Sequence, residues 1–398
     1  MRLGLVILLV LGQATFGEDT QLDALRSSLA PMRKNPSESA GPRGATPQLT
    51  VAKHQLRDWV ESRLSAFGQR GDEGEFQRKL NLELHEARLF CGEGQAPECP
   101  DQFLNGFLGD VSLKRESGFL ILQTALGIEC GFDESAYVYS WSAEGWRRVW
   151  QNEQNTYTDK DYKPQTLHAV LISPYNRENN YLVLTLGSQP WCFSVWHPVY
   201  YRTYRMGPDL ASKPLLDAET EWANVSDDPP IRGSVSANDV LVEFWGGSID
   251  SVLLSRQTVR HYRIDGNSVS RVAPLALRPR DFVDEWLTTD WREASSWSES
   301  ANRANTRDWH AKIHKDKVSG EFIYPTMHCP STPDLWQVGV DFSGPAPPIG
   351  TEPKGTYFLV RWRPPYQFTM KQVSDRTSPA CSEQDRNADD EHRTLFPH

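Results

Sequence analysis

Thr258-Val-Arg-His-Tyr-Arg-Ile-Asp-Gly-Asn-Ser-Val-Ser-Arg-Val272 reads as two short strands folded back on one another. Valine, isoleucine, threonine and tyrosine crowd a pleated half-buried surface well, and Asp265-Gly266 between the two runs is a two-residue hairpin signal. Similar runs recur through the sequence. Strands are expected over residues 119–125, 136–141, 146–151, 167–173, 181–186, 192–204, 239–245, 258–264 and 268–272. After an interruption they resume over 309–315, 321–327, 335–342, 357–362 and 366–373. Gly, Asn, Asp and Pro clusters separate them, which is the pattern of antiparallel sheet proteins.

Tyr137-Val-Tyr-Ser-Trp-Ser-Ala-Glu-Gly-Trp-Arg-Arg-Val149 repeats the hairpin pattern, an aromatic strand followed by a glycine turn and a strand ending in Arg-Val. Residues 357–373 repeat it again around Pro364-Pro365. A mainly β fold is expected, built of antiparallel sheets. The spacing of strand groups resembles that of β-propeller blades, and a β-sandwich is the alternative.

Outside the β-rich domain, expected over residues 93–373, the periodicity is helical. Leu49, Leu56, Trp59, Val60, Leu64 and Phe67 recur at steps of three and four, then Phe76, Leu80, Leu84, Ala87 and Phe90 do so after Gly68, Gly71 and Asp72. Residues 47–92 therefore form an α-helical hairpin that docks on the β-rich body. Residues 280–300 are expected to be helical as well, with Phe282, Trp286 and Trp291 on one face. Ser, Pro and Gly punctuate residues 18–46, which read as a disordered linker, and residues 374–398 read as a polar C-terminal tail, pinned if Cys381 is bonded.

The first 17 residues carry Arg2, an apolar run from Leu3 to Leu11, and small residues at Gly12, Ala14 and Gly17. That is the order of a signal peptide cleaved near Ala14 or Gly17, which sends the protein to a secreted or periplasmic location. The apolar run is too short to span a membrane, and no later one is longer. Cys91, Cys99, Cys130, Cys192, Cys329 and Cys381 are then expected to be paired as disulfides. The nearest-neighbour set, Cys91 with Cys99, Cys130 with Cys192 and Cys329 with Cys381, is preferred, although spacing alone does not fix connectivity. No C-x-x-C spacing marks a zinc site.

Formal net charge is −10 without a basic stripe, which argues against nucleic-acid binding. No phosphate-cradling loop, serine elbow or calcium loop is present, and neither metal nor cofactor is expected. His310 and His314 lie four apart but alternate with apolar neighbours, which reads as a solvated strand face, with His328 the nearest further ligand. His85-Glu86 begins a zincin pair that Leu89 breaks. Asn224-Val-Ser226 is a glycosylation sequon.

Two readings of function lead, beside a third in which the protein is a structural accessory of the cell envelope with no small-molecule ligand. In the first, the protein is an exported binding or interaction module whose ligand is a glycan or another protein. Fourteen tryptophans favour it, with Trp191, Trp196, Tyr200, Tyr201, Tyr204 and Trp245 as the candidate ligand-binding rings. In the second it is a secreted hydrolase acting on glycans through paired carboxylates. Glu243, on a strand face with Leu241 and Trp245, would be the acid with a raised pKa, and Asp341 its partner.

Overall fold

The computed structural model describes residues 14–34, 47–91, 105–128, 131–154, 164–190, 194–207, 213–226, 230–251, 254–272, 276–314, 319–342, 355–363, 366–389 and 395–396. Mainly β, with helices at the N-terminus, the protein divides into two compact units. One takes in residues 1–174, 187–197 and 206–210, the other 175–186, 198–205 and 211–398.

In the first unit, α1 (Ala14–Lys34), α2 (Pro47–Leu64) and α3 (Glu73–Glu86) precede a four-stranded antiparallel meander. Its strands are β1 (Ser112–Glu116), β2 (Phe119–Ile128), β3 (Gly131–Ser142) and β4 (Gly145–Asn152). Ser117 and Gly118, both at positive φ, make the turn from β1 into β2, where a two-residue hairpin needs that conformation. Leu120, Leu122, Leu126, Tyr137 and Tyr139 share one face of β2 and β3 and form a common core with Leu25, Leu29, Leu56, Trp59, Val60, Leu80 and Leu84.

The residues that dock α2 follow its own period. Lys53, Arg57 and Glu61 come one turn apart, and each meets a polar group at the sheet. Lys53 Nζ lies 2.9 Å from Asp133 Oδ2, both side chains fully buried. Arg57 Nη1 lies 3.1 Å from Glu153 Oε2, and Glu61 Oε1 accepts from the Tyr139 hydroxyl at 3.0 Å and from Arg148 Nη1 at 2.7 Å. At the other helix, Asp72 caps α3 by accepting the Glu75 N–H. β5 (Thr166–Ile172) is tied to β3 through Glu134, whose carboxylate accepts the Leu167 N–H at 2.7 Å and which burial pushes up to about 7.

Residues 18–34 correct the linker expectation, for they are helical. Leu22 packs against the core and Leu25, Leu29 and Met32 are buried in it, at helical spacing. The prolines and serines masked that period; Pro31 lies inside the helix, three residues before its end, where its missing N–H costs one backbone hydrogen bond. Residues 1–13 and 35–46, with most of the expected signal peptide, lie outside the described residues.

Two antiparallel sheets make up the second unit. The larger runs β12 (Ser268–Arg271), β11 (Ser255–Asp265), β10 (Asp239–Gly247), β8 (Leu216–Asn224), β7 (Trp196–Met206), β6 (Tyr181–Ser188), with β9 (Ile231–Val235) also beside β10. The hairpin expected at Asp265-Gly266 is there one residue on, because Asp265 pairs with Ser268 and the turn residues are Gly266 and Asn267. Gly266 supplies the positive φ of 53°.

Between these sheets in sequence come α4 (Pro279–Thr288), α5 (Trp291–Ala294) and α6 (Arg303–His314). The smaller sheet then runs β16 (Gln367–Ser374), β15 (Gly355–Arg363), β14 (Leu335–Asp341), β13 (Glu321–His328), β17 (Glu383–Gln384). Among the described residues no sheet closes on itself.

Charges on α4 hold it to the larger sheet. Glu285 receives Arg256, Arg260 and Arg271, and these guanidinium groups keep its carboxyl well below the usual range although burial pulls the other way. Asp284 accepts the Ser248 hydroxyl and the Ile249 N–H, and burial pushes it up to about 6 against the pull of Arg256. The opposite face of α4 is apolar. Phe282, Val283, Trp286 and Leu287 are buried with Val338, Val340, Phe358, Val360, Phe368 and Met370 of the smaller sheet.

A second correction concerns residues 309–315, expected as a strand. Residues 309–314 belong to α6, where Trp309 and Ile313, one turn apart, pack on that same core. Five alternating residues fit either period, so tertiary packing decides. Strands β1, β8, β9 and β17 escaped the sequence reading because they are short or charged: β8 reads Leu-Asp-Ala-Glu-Thr-Glu-Trp-Ala-Asn.

Candidate functional site

On β14 the side chains alternate between two surroundings. Trp336, Val338 and Val340 point into the core beneath α4. Leu335, Gln337, Gly339 and Asp341 therefore share the other face, and it carries an open groove of about 390 Å³. Ile323, Tyr324, Pro325 and Met327 of β13, Gln337 and Gly339 of β14, and Tyr357 of β15 line the groove on one side. Thr377, Ser378, Pro379, Cys381 and Ser382 line it on the other.

Three local features shape it. First, β13 bulges between Ile323, which pairs with Gly339, and Met327, which pairs with Gln337. Such an irregularity re-aims side chains out of the sheet, and Tyr324 is 46 % exposed there. The Tyr324 hydroxyl accepts from Arg280 Nη1, and burial pushes the phenol up to about 12. Second, two glycines let Tyr357 and Ile323 sink into the surface. A Cβ at Gly339 would lie 3.0 Å from Ile323 Cβ and 3.2 Å from Tyr357 Cε1, and one at Gly355 would lie 2.9 Å from Tyr357 Cζ. Glycine is required here for close approach.

Third, the far wall is fastened to the sheet. Cys381 is disulfide-bonded to Cys329, and the two pack in a small apolar cluster with Leu335, Met327 and Leu359. The Ser378 N–H donates to Gln337 Oε1 at 2.6 Å. Beyond the wall, β17 pairs with β13, Asp389 accepts from the Thr326 N–H and hydroxyl, and Trp336 Nε1 donates to Asp385. The expected polar tail is thus pinned through residue 389, by way of the bonded Cys381.

The pairing Cys329 with Cys381 is as expected from nearest neighbours. Cys91 is disulfide-bonded too, while Cys99, Cys130 and Cys192 lie outside the described residues.

None of the rings singled out from the sequence lines this groove. Tyr200 and Tyr201 are buried, and Trp196, Tyr204 and Trp245 are half-buried. The Tyr201 hydroxyl bonds to that of Tyr262 at 2.9 Å and donates to Glu221. Arg202 lies over the Tyr200 ring and Arg278 over that of Trp245. Trp191 falls outside the described residues. Tyr200 and Tyr201, neighbours on β7 that point to opposite faces, are both buried.

The candidate carboxylates are on different sheets, Glu243 on β10 and Asp341 at the end of β14. Both are buried. Glu243 Oε2 accepts the Leu395 N–H at 2.8 Å, and neither acid lines the groove.

His310 also departs from the sequence reading. It is buried in α6, its Nε2 2.9 Å from the Thr289 carbonyl and its ring edge-on to Trp286. His328 lies against Trp336 and 3.2 Å from the Pro333 carbonyl. Among the described residues no group of three or more His, Cys, Asp or Glu could hold a metal ion.

No protein-family model matches this sequence, and no curated protein matches it. Among solved structures it is similar to an RGII complex of BT0996, at 7 % identity and a TM-score of 0.23, over 63 % of this protein and 70 % of that one. A TM-score that low does not establish a shared fold.

The groove itself was missed by sequence reasoning. Its signals were present as Gly339 and Gly355 facing Tyr357, and as Tyr324-Pro325 inside an otherwise regular strand. Glycine in a strand marks close approach, and proline marks a bulge.

Proposed function

We propose that this is an exported binding protein, secreted or periplasmic, and that it takes an uncharged glycan in the groove over β13, β14 and β15. One observation carries the reading: the groove is walled by tyrosine rings and hydroxyl groups, and its lining contains no charged side chain. Its volume of about 390 Å³ falls within the roughly 300–1,000 Å³ of small-ligand sites. Sugar rings present apolar C–H faces and a rim of hydroxyls. Tyr324 and Tyr357 suit the first, and Thr377, Ser378 and Ser382 the second.

Export is supported by the leader-like start of the sequence and by the Cys329–Cys381 disulfide, which an oxidising compartment preserves. No helix among the described residues is long and apolar enough to cross a membrane. An acid dyad for glycan hydrolysis has no support in this groove, because no carboxylate lines it.

The test is titration calorimetry of the oxidised full-length protein against a panel of neutral oligosaccharides, with Tyr324→Ala as the control variant. Tyr324 is exposed, so the variant should fold. Losing one stacking ring should weaken binding roughly 3–10-fold. An empty panel would overturn the reading, and so would unchanged affinity in the variant. Capture of a protein ligand that blocks the groove would replace the glycan with a polypeptide.

A further inference from the structure

Gln337 stands out among the groove residues for how little freedom it has. It is 3 % exposed, yet it lines the groove. The Ser378 N–H bonds to its Oε1 at 2.6 Å, which fixes the amide orientation, since only the oxygen can accept. Among the described residues nothing accepts from its Nε2. A nearly buried amide is thus left with its acceptor used and its donor available to a group that enters the groove. Its surroundings are apolar. Met327 and Leu359 are its direct cross-strand partners, and Ile323 and Tyr357 flank Gly339, the next residue along on the same face.

We infer that the groove recognises an acetyl group on its glycan, and that Gln337 is the residue that selects it. This deepens the glycan reading and rests on it. An acetyl carbonyl supplies acceptor lone pairs and no proton, so it satisfies Nε2 without leaving a donor of its own stranded. The attached methyl packs on Met327, Ile323 and the Tyr357 ring. A hydroxyl at the same place would satisfy Nε2 but would bury its own proton against those apolar side chains. The carbonyl belongs either to an N-acetyl amide or to an O-acetyl ester, which share this chemistry.

Calorimetry on the oxidised full-length protein tests the inference with two matched pairs of neutral probes. N,N′,N″-triacetylchitotriose is compared with cellotriose for the amide, and O-acetylated xylotriose with xylotriose for the ester. At least one acetylated member should bind roughly tenfold tighter than its partner, the equivalent of one well-made hydrogen bond. Gln337→Glu keeps an acceptor for the Ser378 N–H and so preserves the wall, but it removes the donor and should abolish the acetyl preference. Gln337→Met, which removes charge and donor together, should do the same. If the wild type binds glycans with no acetyl preference, or if Gln337→Glu keeps that preference, the assignment of Gln337 is wrong while the glycan site stands. If no saccharide binds at all, the glycan reading itself falls.

Discussion

Replacing both Cys329 and Cys381 with alanine should cost the second unit about 4 kcal/mol. The bond spans 52 residues, and that loop contains β14, β15 and β16, most of the smaller sheet. Cross-linking a loop of that length removes roughly 14 cal/mol/K from the unfolded state, or about 4 kcal/mol at 25 °C on the chain-entropy model. The folded side changes little. Cys329 is wholly and Cys381 almost wholly buried among Leu335, Met327 and Leu359, where alanine introduces no polar atom. For a unit of this size that loss lowers Tm by about 8–16 °C. Urea denaturation followed by tryptophan fluorescence reads the change directly, since Trp286, Trp336 and Trp362 report on this core. A loss below about 1 kcal/mol would refute the argument. It would mean that β17 pairing and the Asp389–Thr326 contacts already confine the unfolded or partly folded segment as tightly as the covalent bond does.

The buried charges give two more expected outcomes. Burial raises Asp284 from its ordinary range to about 6, so the folded state binds its proton more tightly than the unfolded state does. Its contribution is greatest below about pH 4 and is lost as pH rises through 6. Relative to Asp284→Asn, the wild type should therefore lose about 1–3 kcal/mol between pH 4 and pH 7, and parallel stability profiles of the two proteins would contradict the assignment. In the first unit, Lys53→Met leaves Asp133 buried without its ammonium partner and should destabilise by about 3–5 kcal/mol. Lys53→Met combined with Asp133→Leu should recover most of that in chemical denaturation, and a double variant as unstable as the single one would show that the pair is not the cause.

Elements whose cause is local were legible in the residues alone. Period-two runs of β-branched and aromatic residues marked most strands, Gly266 marked a hairpin to within one residue, and Leu56, Trp59 and Leu80 marked helical faces that the core uses. What those faces meet was fixed by packing between segments far apart in sequence. Residues 18–34 are helical because Leu25, Leu29 and Met32 find a core, and α6 is a helix because Trp309 and Ile313 find another. The same physics governs the candidate rings. The alternation around Tyr200 and Tyr201 admitted both core and an exposed platform, and their burial was decided by distant strands. The groove draws Tyr324, Gln337, Tyr357 and Ser378 from four separate segments and is shaped by glycines that contribute no side chain. Its chemistry exists only once the strands are in register.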